Sequence, residues 1–172
     1  MKRRAVFSPC ARYRYTLWRE WIGGTGVAMF VALNPSTATD LEDDPTIRRE
    51  IAFAQCWGFA ALCKVNLFAL RATDPNVMLA AEDPVGPDND AWILDCAREA
   101  DVIVGAWGVH GTHRGRARQV VDMVGTDRLR MLARDVDGGI EYAVTKFGEP
   151  RHPLYLRGDH RPAPWRSPGA PS

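Results

Sequence analysis

Three short segments carry side chains suited to chemistry on a planar, heteroatom-rich ligand: Asn34-Pro35-Ser36, Asn66, and Arg151-His152-Pro153-Leu154-Tyr155-Leu156-Arg157. An asparagine carboxamide sets a donor beside an acceptor, so it can read the edge of a ring or position a water. A histidine can donate a hydrogen bond to developing charge, or move a proton, near neutral pH. Two arginines flanking such a loop can hold phosphate oxygens. Asn34 and Asn66 each also fit a structural role, since Asn and Pro are favoured in strand-ending turns. The histidine segment is less easily structural: a His-Pro pair between arginines, followed by Leu and Tyr, is not a core pattern.

The elements that would position these groups can be read from hydrophobic patterning. Residues 26–33 form a continuous apolar run closed by Asn34-Pro35, which predicts a strand buried on both faces. Residues 60–66 and 101–108 predict two more such strands, and 128–133 a fourth. Asp44-Pro45-Thr46 opens a helix, with Asp44 as N-cap and Pro45 in the first turn. Further helices are expected over 88–99 and 114–124. Residues 5–20 alternate loosely and suggest a hairpin-like strand pair around 21–24. Strands alternating with helices predict an α/β fold of three α/β/α layers around a mostly parallel sheet. In such sheets ligands sit at the carboxyl ends of the strands, where Asn34, Asn66 and Trp107-Gly108 fall.

Composition bounds the possibilities. The chain has 172 residues, 46% hydrophobic and 25% charged, enough for one domain with a real core. One domain is expected over 1–162, with a disordered Pro/Ser/Gly-rich tail over 163–172. No apolar run is long enough to span a membrane and no signal-type h-region follows the basic start, so a cytoplasmic monomer is expected. Cys10, Cys56, Cys63 and Cys96 form no C-x-x-C pair, so no metal site or cofactor is expected and the four read as small buried residues. Charge is uneven: +5 over residues 1–22, −8 over 40–101 and +3 over 145–172. Basic ends on one face would suit a phosphate-bearing partner.

Taken in order, the motifs resemble those of the uracil-DNA glycosylase superfamily. Ala32-Leu33-Asn34-Pro35-Ser36 is similar to that superfamily's first strand-end motif, and Lys64-Val65-Asn66-Leu67 to its base-reading strand end. His152-Pro153-Leu154-Tyr155-Leu156-Arg157 is similar to its last, His-Pro motif, and Val104-Gly105-Ala106-Trp107-Gly108 to its apolar strand. The chain also resembles a bacterial family of uncharacterised domains sharing the N-P-S and R-H-P-L-Y-L signatures.

The resemblance implies a hydrolase of DNA repair that flips uracil from DNA and cleaves its N-glycosidic bond in base excision. It implies catalytic roles for Asn34, positioning water, and His152, donating to uracil O2. Leu33, Asn66 and Phe68 would bind the base. Ser36, Arg151 and Arg157 would hold phosphates, and Leu154, Tyr155 and Leu156 would wedge into the gap. One departure stands out. The window after Pro35 that usually supplies a stacking aromatic holds none, so Phe53, Trp57 or Phe68 would have to substitute. The iron–sulfur members' four-Cys set is also missing. Two other functions fit the same motifs: a non-catalytic nucleic-acid-binding module, and an enzyme acting on a free base or nucleotide.

Overall fold

A computed structural model describes residues 1–36 and 42–167. Eight strands form one mixed sheet. Along it the order is β1 (Lys2–Phe7), β2 (Arg14–Glu20), β4 (Ala61–Asn66), β3 (Val27–Ala32), β5 (Val102–Gly105), β6 (Leu129–Val136) and β7 (Gly139–Tyr142). A further strand, β8 (Arg161–Pro164), pairs with β6 off this path.

The sheet is not mostly parallel, which corrects the sequence reading. Pairs β4–β3, β3–β5 and β5–β6 are parallel, whereas β1–β2, β2–β4, β6–β7 and β6–β8 are antiparallel. The continuous apolar runs marked only the parallel centre. Hairpins, which need no crossover helix, add β1 to β2 and β7 to β6, whereas β2 and β8 reach β4 and β6 through longer connections. The first hairpin also turns elsewhere than expected, at Ser8–Tyr13 and not at 21–24. Ser8 Oγ accepts the Tyr13 N–H at 3.2 Å, and Ala11 takes a left-handed φ of 56°.

Helices α1 (Pro45–Cys56), α3 (Asn89–Glu99) and α4 (Arg116–Val124) match their expected positions, and a short α2 (Pro75–Ala80) interrupts the loop after β4. Asp44 caps α1 as anticipated, its side chain accepting from Ile47 N at 2.8 Å. Alternation along β3 divides the core. Ala28 and Phe30 pack with Ile47, Ile51 and Ala54 of α1, while Met29 and Val31 pack with residues of α3 and α4. Each large side chain so buried contributes about 1.5–3 kcal/mol, and both faces of the parallel centre are thereby covered. Ala163 and Pro164, expected in a disordered tail, belong to β8, and Trp165 packs on Trp107 with ring centres 5.6 Å apart. The remaining tail, 168–172, lies outside the described residues. Cys63 and Cys96 are buried as expected, but Cys10 and Cys56 are exposed. Among the described residues no helix is long and apolar enough to cross a membrane.

Candidate functional site

A cleft of about 450 Å³ opens at the carboxyl ends of β3, β4 and β5. Chain order reverses here: β4 lies on one side of β3 and β5 on the other, which makes the favoured ligand position of an open α/β sheet.

One wall is the β3 end. Leu33, Asn34 and Ser36 all line the cleft. The loops after β3 and β4 are zipped together, with Phe68 N donating to Leu33 O and Ala72 N to Pro35 O, both at 2.9 Å. Asn34 Nδ2 donates to Ala72 O at 2.8 Å and to Pro35 O at 3.2 Å, leaving Oδ1 as the atom able to accept from a cleft water. Ser36 Oγ donates to Asp44 at 3.2 Å, tying the wall to the α1 cap.

A second part of the lining is the His-Pro loop. Arg151, His152 and Tyr155 line the cleft. The loop is fixed by Gly108 N donating to Pro150 O at 2.8 Å, by Arg151 N donating to Ala143 O at 2.9 Å, and by Arg49 donating to Leu156 O. His152 Nδ1 accepts the Leu154 N–H at 3.4 Å, so in the neutral ring the proton sits on Nε2. Burial lowers the His152 pKa below its ordinary 6.5, and the Lys64 charge lowers it further against an opposing pull from Asp44. His152 is therefore a neutral Nε2–H donor at physiological pH.

The floor and rear hold Arg14, Lys64, Asp44, Thr145 and His110, to which motif reading gave no ligand role, and Trp107 of the apolar-strand motif. Arg14 is buried, and that burial brings its guanidinium down to about 10 while Asp44 supports its charge. Lys64 Nζ lies 2.9 Å from both carboxylate oxygens of Glu50, which is fully buried on α1. Burial pushes the Glu50 carboxyl up and Lys64 draws it back. Trp107 Nε1 donates to Glu149 at 2.5 Å. Gly111 fits flat beneath Trp107, since a Cβ there would lie 2.1 Å from Trp107 Cδ1.

Several expected ligand groups lie elsewhere. Asn66 is 1% exposed and does not line the cleft, although register places it on the same sheet face as Ala32 and Lys64, which do. Its Oδ1 has no hydrogen-bond partner among the described residues. Phe68 is wholly buried in the core and contacts His113, so it cannot stack on a cleft ligand. Phe53 is buried, and Trp57 stacks on Phe30 and Phe53 away from the cleft. The cleft's aromatic side chains are Trp107, Tyr155 and the histidines. Of the expected wedge, Leu156 is buried against α1 and Leu154 half-buried, whereas Tyr155 is 81% exposed. Arg157 is exposed outside the cleft, 3.4 Å from Asp159.

No group of three or more His, Cys, Asp or Glu is placed to hold a metal among the described residues. No curated protein and no solved structure matches the chain. A family described as a protein of unknown function (DUF1643) matches residues 14–154, nearly the whole of the strand and helix framework around the cleft, and the chain belongs to that family.

Proposed function

We propose that the protein is a uracil-DNA glycosylase-like hydrolase with a three-layer α/β/α architecture. It would cleave the N-glycosidic bond of a uracil flipped from DNA. The observation that carries this reading is the pairing of Asn34 and a neutral His152 in one strand-end cleft, from segments far apart in sequence.

The bond breaks with its electron pair leaving on the base, so charge grows on uracil O2 while the sugar becomes cationic. His152 Nε2–H is the donor for that oxygen and costs no protonation step near neutral pH. Asn34 Oδ1 accepts from the water that adds to C1′. An amide cannot take the water's proton, which passes to the departing base or to solvent. Asn66 Oδ1, buried without a partner among the described residues, would be satisfied by a ring N–H or by a water between them. Tyr155, exposed at the rim, replaces the three-residue wedge, and Arg151 beside it serves a phosphate.

The buried Leu156 favours a second reading, an enzyme for free bases or nucleosides, because a one-residue wedge does less to open a duplex. Incubation with single-stranded and duplex uracil oligonucleotides, followed by alkaline cleavage, separates the two. Strand breaks at the uracil position support the DNA reading. Intact strands together with turnover of free nucleoside would replace it.

A further inference from the structure

The cleft floor carries a buried ion pair that the proposed chemistry leaves unused. Lys64 interrupts the apolar run Ala61–Val65 of β4, in register with Leu17 on one neighbour and Phe30 on the other. Its partner Glu50 is fully buried among the residues of the α1 face. Such a pair is expensive to bury, and apolar side chains of similar volume usually serve stability as well or better. Its position therefore points to a ligand more than to folding.

Geometry shows what is on offer. An ammonium has three N–H donors. Glu50 takes at most two, through contacts of 2.9 Å to each of its oxygens, and no acceptor among the described residues takes the third. Lys64 nevertheless lines the cleft. Glu50 already balances the charge, so a neutral acceptor suits the remaining donor better than an anion does.

We infer that Lys64, positioned by Glu50, donates its third N–H to an exocyclic carbonyl oxygen of the bound base, and so selects oxo over amino heterocycles. This rests on reading the cleft as a base pocket. An amino group at that position would set its own N–H donors against the ammonium with nothing to accept them, and a bare C–H would leave the buried donor unmet. Sites built around such a donor discriminate strongly against ligands that lack the acceptor.

The test is binding of free bases to the full chain, followed by ligand-observed NMR titration. Uracil, cytosine and 2-pyrimidinone (uracil without O4) are the probes. The parent protein should bind uracil about 10- to 100-fold more tightly than either of the others, the range for a hydrogen bond to a charged donor. Because Lys64→Met alone would strand a buried carboxylate, the variant is Lys64→Met with Glu50→Met, checked for a cooperative thermal transition. Its preference for uracil should vanish, whereas Lys64→Arg, which keeps a charged donor, should retain one. Equal binding of uracil and 2-pyrimidinone by the parent, a preference surviving in the double variant, or no binding of any base would overturn the inference. Oxo-selective binding without uracil release from DNA would uphold it and remove the glycosylase reading instead.

Discussion

Replacing His152 by Ala separates the chemical step from recognition. The Nδ1 of His152 is taken up by the Leu154 N–H, so Nε2–H is the donor that the neutral ring of this cleft-lining residue can offer. Against neutral uracil O2 that donor contributes about 0.5–1.5 kcal/mol, a loss of about tenfold or less in binding. Against the charge that develops as the bond breaks it contributes about 2.7–4 kcal/mol, or 10²- to 10³-fold in rate. The variant should therefore bind an oligonucleotide with an uncleavable uracil analogue nearly as well as the parent, while its single-turnover excision rate collapses. His152→Gln, which keeps an N–H, should fall between them. Excision by His152→Ala at the parental rate, or equal losses in binding and rate, would show that His152 shapes the loop and does not meet the transition state.

The remaining predictions concern charge and packing. Since the His152 pKa is depressed, the unfolded chain takes up a proton first as pH falls. Stability should then be level above pH 6.5 and decline below it until the folded ring also protonates, as read by thermal melts. Excision should hold below pH 6.5 and fall once the depressed pKa is crossed, because a proton on Nδ1 opposes the Leu154 N–H that holds the ring in place. Glu50→Ala strands the Lys64 ammonium in the core and should cost about 3–5 kcal/mol in denaturant unfolding, much more than Glu50→Met with Lys64→Met. Gly111→Ala drives a methyl into the Trp107 ring and should cost about 1–3 kcal/mol, with a blue or red shift in tryptophan emission. Arg157→Ala, if its exposed guanidinium contacts a phosphate, should reduce the log–log salt slope of duplex binding by about 0.9.

The polar residues at the strand ends of this chain were legible because they sit at breaks in apolar runs. Asn34 follows residues 26–33 and lines the cleft where that pattern put it. His152 was found because a His-Pro pair between arginines fits no core. Asn66 shows the limit of the same logic: period-two alternation fixes the face of its side chain, but not how completely its neighbours bury it. Phe68 and Leu156 were assigned to ligands by motif position, and tertiary packing buried both. Lys64 had a signal that went unused, a lysine inside the buried run Ala61-Leu62-Cys63-Lys64-Val65. Such a residue must find a carboxylate or shift its pKa, and either outcome marks a functional candidate. Arg14 was hidden by the hairpin, whose turn is shaped by Ser8 and Ala11 and not by the glycines at 23 and 24, and whose register shifts at Val6/Phe7.

The central claim is tested most directly by collecting what leaves the DNA. Under single-turnover conditions, an oligonucleotide with one uracil should yield free uracil and an abasic site in equal amounts, identified by mass. A protein carrying both Asn34→Ala and His152→Ala, purified in parallel, should yield neither. Absence of free uracil with the parent protein, or equal release by the double variant, would contradict the account.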